Sequence, residues 1–309
     1  MGFFFRQLKR VVPDETHVVW VSDRHMSITK GIQASYDFAK HGRCTYHLFQ
    51  NVKAYHKAGG LQKLFFLMAN AYTVAEFNGH FAAFRDKTPT GAEYIKMVGF
   101  SNWARAFYPA NQFNVTTTNH AECLNSVFLE PRDLPVTSLM DSILDKVGEW
   151  FVKRRELSSN PDKVVTDHVD TVLRQNAMQA ICLQVKTLSE HEYDVRKGLS
   201  AWLVNLSARS CTCKHFEIDQ IPCAHALAAA KVRRIDPYSL VHPLYKAEAW
   251  HACYVNIVYL VLPRETWAVP PEIVARICLP LVVKRAPGRP KTKHYLSKGE
   301  YRGPKCRRH

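Results

Sequence analysis

The sequence predicts an α/β chain in four parts: a mixed segment with a large helical stretch, a small metal-stapled α+β module, a helical linker and a disordered basic tail. Three observations predict it. A β-branched run at His17 to Ser22 gives way to apolar residues at helical spacing from Leu61 to Phe107. Three cysteines and a histidine then crowd Cys211 to His225. The end of the chain, Lys284 to His309, carries ten Lys or Arg against one Glu, a net charge of +9.

Bulk properties narrow the functional classes. With 47% hydrophobic and 22% charged residues the balance is that of folded domains, and 309 residues suffice for two or three of them. No apolar run approaches the ~18–20 residues of a membrane span, and the apolar part of Met1 to Arg10 is too short for a secretory signal, so no membrane partner is expected. Formal charge is +15, of which the tail leaves +6 to everything before it. Such a balance favours a polyanionic partner, DNA above all. Nothing in the sequence points to a small-molecule substrate. Nine cysteines, odd in number and scattered, fit reduced intracellular thiols and a metal better than disulfides.

Taken in order, His17 to Ser22 reads as a buried strand ending at Asp23. Ser27 to Lys40 reads as a helix and Arg43 to Phe49 as a second strand. Leu64, Phe65, Leu67, Met68, Phe77, Phe81, Phe84, Ile95, Phe100, Trp103 and Phe107 recur at helical spacing, broken by Gly59-Gly60 and by Thr88 to Gly91. Further helices are expected at His120 to Leu129 and Ser138 to Glu156. Composition shifts near Ser158 to Pro161, which divides a first domain, 1–157, from a module at 158–245. That module should hold a helix at Val164 to Ala180, strands near Cys182 to Lys186, Tyr193 to Arg196 and Trp202 to Leu206, and an alanine-rich helix at Ala224 to Val232. A helical linker, with its helix around Ala247 to Tyr259, spans 246–283, and 284–309 is the tail.

Cys211-Thr-Cys213 places two thiols on one face of a strand or tight knuckle, and Cys223-Ala-His225 supplies a second pair at the start of a helix. Three thiolates and an imidazole satisfy tetrahedral Zn2+, and four protein ligands make the site structural rather than catalytic. His215 lies inside the motif and competes, but His225 opens the helix and is the better fourth ligand.

These residues resemble the SWIM zinc finger, with the finger core at 202–233. The rest of the chain resembles Mutator-like transposases of plants, in the order Ser22-Asp23-Arg24-His25, Cys44-Thr-Tyr-His47, Trp103, and Thr118-Asn119-His120 with Glu122 and Asn125. The resemblance implies a partial ribonuclease-H-like transposase core with a large α-helical insertion. In that core three carboxylates hold two Mg2+ or Mn2+ ions for phosphodiester cleavage and strand transfer. Asp23 matches the second carboxylate and Glu122 the third. The first would lie upstream of Met1, and Asp14, in a polar loop, is a poor substitute. The chain is accordingly expected to be a truncated or degenerate copy, located in the nucleus and binding DNA, with protein partners through the finger.

Blander roles compete. Asp23 could cap the following helix, and Asn119 to Glu122 forms a capping-box-like pattern. Cys44 and His47 could be half of a second metal site or a packed pair. In the tail, Arg289 and Lys291 belong to a Pro-Gly-Arg-Pro-Lys stretch, with Lys293 two residues beyond it, that resembles an AT-hook reading a narrow minor groove, or serves as a nuclear localisation signal. Three functions follow: a transposase-derived nucleic-acid-binding protein without catalysis, an active transposase, or a transcription regulator of the far-red-response type.

Overall fold

A computed structural model of the protein describes residues 2–56, 59–259 and 266–276. The amino-terminal part holds helix α1 (Gly2–Leu8), strand β1 (Val19–Ser22), helix α2 (Met26–Gln33) and strand β2 (Lys40–Arg43). The two strands pair in parallel, Val19 opposite Lys40 through Ser22 opposite Arg43. Phe5, Ile32 and Tyr36 pack beneath them, with Trp20 edge-on to Phe5 and Tyr36.

Two expectations fail here. The helix expected to reach Lys40 stops at Gln33, because a tertiary acceptor captures the chain beyond it. The Asp14 carboxylate accepts the backbone N–H groups of Asp37, Phe38 and Ala39 at 2.7–3.0 Å, holding them out of a helical ladder. The strand expected at Arg43 to Phe49 is instead the end of β2 followed by α3 (Thr45–Tyr55). Its buried residues Thr45, Leu48, Phe49 and Val52 have helical spacing, a pattern that shows only when the segment is read beyond Phe49.

Next come α4 (Leu61–Asn70), α5 (Val74–Lys87) and α6 (Pro89–Val98), then 3₁₀ turns at Phe100–Asn102 and Arg105–Phe107. Thr73 and Glu76 form a reciprocal capping box at the start of α5, and Pro89 begins α6 where no intrahelical N–H is needed. Gly99, at φ 84°, ends α6 in a conformation that L side chains avoid. Phe65, Phe77, Phe84, Ile95 and Trp103 are fully buried together, and Trp103 stacks on Phe65 at 5.1 Å. These are the residues whose spacing predicted a helical core.

Helix α7 (Asn119–Val127) buries none of its residues, and the long α8 (Val136–Ser158) buries only Ser158. Helix α9 (Asp167–Ala180) precedes an antiparallel sheet, β3 (Gln184–Thr187), β4 (Glu192–Lys197), β5 (Ser200–Asn205) and β6 (Ser210–Cys211), in that spatial order. Then follow α10 (His215–Asp219), α11 (Ala224–Val232) and α12 (Ala247–Ala252). The helix expected from Ala247 to Tyr259 is cut short at Ala252. Arg155 takes the carbonyls of Tyr254 and Asn256 at 2.8 and 2.7 Å, which fixes that stretch as irregular backbone. A separate unit begins at Leu262, in which α13 (Pro271–Val274) is described. Among the described residues no helix is long and apolar enough to cross a membrane.

Candidate metal centre

The site is assembled by the end of one strand and the start of one helix. Cys211 closes β6, opposite Val204 on β5. Thr212 locks the turn from both sides: its N–H donates to the Leu203 carbonyl at 3.0 Å, and its hydroxyl accepts the Leu203 N–H at 3.1 Å. The Lys214 N–H then reaches back to the Cys211 carbonyl at 2.8 Å, with Lys214 left-handed at φ 65°. That knuckle turns Cys213 back toward Cys211. Cys223 sits at the N-cap of α11 and His225 in its first turn, while Asn176 of α9 donates to the Pro222 carbonyl at 3.0 Å to fix the approach.

The Sγ atoms of Cys211, Cys213 and Cys223 and a ring nitrogen of His225 all lie within 4.8 Å of one another. Two edges can be compared with coordination chemistry. His225 Nδ1 is 3.7 Å from Cys211 Sγ and 3.8 Å from Cys223 Sγ. Tetrahedral zinc with Zn–S of ~2.3 Å and Zn–N of ~2.0–2.1 Å requires about 3.6 Å between such atoms. The donor set therefore fits zinc in chemistry and in spacing. Mutual hydrogen bonding of the thiols, with burial, drives Cys211 above its ordinary range, and the same bonds drive Cys213 well below its own. Zinc takes sulfur ligands as thiolates, so its binding releases the protons they carry. The imidazole is further held by Trp202 of β5, stacked on it at 4.0 Å.

His215, the competing ligand, is turned elsewhere. It stacks on Tyr72 at 3.5 Å, and Arg105 lies over the Tyr72 ring at 4.5 Å. The Tyr72 hydroxyl meets both oxygens of Asp219, at 2.8 and 3.1 Å. This clamp between the helical core and the zinc module has no signal in the sequence, because Tyr72 and Asp219 lie far apart along the chain.

A second cluster surrounds Cys44, fully buried at the N-cap of α3. Its sulfur accepts the N–H of Thr118 at 3.3 Å and lies 3.3 Å from the Thr118 hydroxyl oxygen. Burial pushes the thiol up, but hydrogen bonds from His47 and Thr118 outweigh it and bring it down to about 7. The hydrogen bond with Cys44 in turn raises His47. Each group thus favours the charged form of the other. Among the described residues the Cys3His set is the group of three or more Cys, His, Asp or Glu gathered tightly enough to hold a metal, and Cys44 and His47 do not belong to it.

Asp23 follows β1 directly, and its Oδ1 accepts the His25 N–H at 3.1 Å, closing a turn before α2 rather than capping the helix; the N-cap is His25, whose ring accepts the Ser27 N–H. Glu122 lies in the first turn of α7, but the capping box does not form. Its Oε1 takes the Thr118 hydroxyl at 2.7 Å instead of a backbone N–H, and it is 3.9 Å from His47 Nε2. The charges of Glu122 and Asp23 both favour protonated His47, behind the larger effect of Cys44. Arg289, Lys291 and Lys293 lie outside the described residues.

Fold and site together define a small structural zinc-binding module: an antiparallel sheet, a knuckle and a short helix joined by one Cys3His cluster. Residues 193–233 match the SWIM zinc finger, and this chain carries that finger. No curated protein and no solved structure matches the chain.

Proposed function

We propose that the chain is a zinc-binding, transposase-derived protein that binds DNA in the nucleus without catalysing strand transfer. The observation that carries the reading is the Cys3His cluster at the centre of the SWIM finger, a structural site that leaves no position for a reacting water. In this reading Cys211, Cys213, Cys223 and His225 hold one Zn2+. The ordered matches to Mutator-like transposases at Asp23, Cys44, His47, Trp103 and Glu122 support the ancestry, and the parallel pair β1–β2 with Asp23 at its carboxyl end is compatible with a ribonuclease-H-like core. The excess of Lys and Arg, 42 against 27 acidic residues, supports a polyanionic partner.

An active transposase is the second reading, supported by the electrostatic influence of Asp23 and Glu122 on the same side chain, His47. One preparation tests both. Purified chain is titrated onto a duplex at several salt concentrations, alongside a variant lacking residues 284–309, and both are incubated with supercoiled DNA and Mg2+ or Mn2+. The binding reading expects one zinc per chain, and deletion of a +9 segment should flatten the log–log salt slope by about 4 if half its cations meet phosphates. Equal slopes would remove the tail from the DNA contact, and absence of any duplex binding would sink the proposal. Metal-dependent nicking that vanishes in Asp23→Asn would establish the enzyme instead.

A further inference from the structure

Beside the zinc cluster, helices α9 and α11 leave a groove of about 550 Å³ between them. Its floor is apolar: Leu173 and Leu227 form the base, with Ala177, Ile181, Ile235 and Pro237 along the sides. Ile181 is 74% exposed, a large aliphatic side chain left to water beside the groove.

The rim is charged, and its charges divide by whether they are spent. Asp170 is fully engaged, one oxygen accepting Arg174 Nε at 2.7 Å and the other the Tyr238 hydroxyl at 2.9 Å. Asp236 accepts the Tyr238 N–H at 3.0 Å. Lys231 and Arg234, at the carboxyl end of α11, have no side-chain partner among the described residues.

Arg234 has a second peculiarity. Helix α11 ends in a double hydrogen-bonded turn, Ile235 N–H to the Ala230 carbonyl at 2.9 Å and Arg234 N–H to the Lys231 carbonyl at 3.2 Å. That motif demands a left-handed residue just past the C-cap, where glycine is the natural occupant. Arg234 takes the position at φ 54°. The backbone thus holds a conformation that favours glycine at a residue whose guanidinium lines the groove, and unlike Arg174, which is paired with Asp170, that guanidinium has no partner within the described fold. The turn alone would be served better by glycine, so the arginine side chain is free to serve a contact outside the fold.

We infer that this groove docks an acidic amphipathic peptide segment of a partner protein. Its apolar side chains cover Leu173, Ile181 and Leu227, and its carboxylates meet Lys231 and Arg234. The unspent cations fix the sign of the partner's charge. The apolar floor decides against nucleic acid, because a phosphodiester laid over it would leave water without gaining hydrogen bonds. The surface is separate from the zinc ligands and from any DNA contact of the tail.

The test uses the full zinc-loaded chain and three fluorescein-labelled 16-residue peptides followed by anisotropy. The first has Leu at helical spacing with Glu elsewhere, the second replaces every Glu by Lys, and the third replaces every Leu by Ser. The first should bind at least tenfold more tightly than either control, and Lys231→Glu or Ala177→Glu should weaken it at least tenfold with zinc content unchanged. Arg234→Gly separates docking from folding: relief of the left-handed arginine should raise the melting temperature while peptide affinity falls severalfold. Equal binding of all three peptides, or Arg234→Gly raising stability with affinity intact, overturns the proposal. So does a duplex DNA that displaces the first peptide and loses its own affinity in Lys231→Glu, which would make the rim a phosphate site.

Discussion

Removing the metal should unfold the finger and leave the helical core standing. The perturbation is Cys223→Ser, or a strong chelator on the wild-type chain. The magnitude follows from what α11 buries. Five of its buried residues are alanines, Ala224, Ala226, Ala228, Ala229 and Ala230, with Leu227 the one larger side chain. At ~0.8 kcal/mol per buried methyl the alanines together contribute only about 4 kcal/mol. Ordering the helix backbone costs roughly 1–2 kcal/mol per residue, so this helix leans on the metal, whose apparent contribution in zinc fingers is ~10–16 kcal/mol. The core around Phe65, Phe77 and Trp103 shares no buried residue with the finger's core around Tyr193, Val204 and Phe216.

The assay is hydrogen exchange followed by mass spectrometry, on loaded and stripped protein. Amide protection should disappear across 193–233 and persist across 61–107, and one zinc per chain should be lost in step. Intact protection of 193–233 after complete removal of zinc would refute the argument that the metal, rather than alanine burial, holds α11. Loss of protection in both regions would show that the Tyr72–Asp219 clamp couples them into one cooperative unit.

Three further outcomes are expected. Trp202→Ala removes the ring stacked on His225 at 4.0 Å and should destabilise the loaded finger by about 1 kcal/mol, read as faster zinc transfer to a chelator, while Cys44→Ser leaves that rate unchanged. Cys44→Ser should instead lower the titration midpoint of His47 seen by NMR, since the Cys44 hydrogen bond is the leading cause of its rise. In the wild type the stability from the depressed thiol is present above its ordinary value of 9 and lost as pH falls through about 7, whereas that from His47 is lost as pH rises through its elevated value. Burial raises the Asp14 carboxyl, but the N–H groups of Asp37, Ala39 and Phe38 outweigh this and hold it at about 2. Its stabilisation is therefore present above the ordinary carboxylate range and fades as pH falls through 2, and Asp14→Asn should speed exchange of those three amides at neutral pH.

The finger was legible because its chemistry is local: ligand pairs two residues apart and an alanine helix whose predicted bounds, Ala224 to Val232, are those observed. The core of α4 to α6 was legible by period, since large apolar residues at helical spacing bury one face regardless of what lies opposite. What escaped depends on distant partners. No window around Ser27 to Lys40 contains the carboxylate of Asp14 that ends the helix, and none around Ala247 contains Arg155. The expectation for Glu122 erred differently. The pattern of a capping box was present, but the Thr118 hydroxyl, one residue before Asn119, took the carboxylate first.

That competition also separates carboxylates committed to the fold from those open to chemistry. Asp14 spends both oxygens on backbone N–H groups and Lys9, Asp219 spends both on Tyr72, and Asp170 divides its two between Arg174 and Tyr238. Each is tied to packing, and its removal would be felt in stability. Asp23 engages only Oδ1, with the adjacent His25 N–H, and Glu122 engages only Oε1, with Thr118 and His47. One oxygen of each remains outside these bonds. Protonation of His47, which both carboxylates favour, supplies positive charge of the kind that carboxylates otherwise obtain from bound cations. Substitution of His47 by Gln would leave Asp23 and Glu122 without that charge. If these two carboxylates bind divalent metal, affinity for Mn2+ should then rise, because the competing cation is gone. If the two carboxylates serve only local turns, Mn2+ binding should stay absent with or without His47, and the reading without catalysis is strengthened.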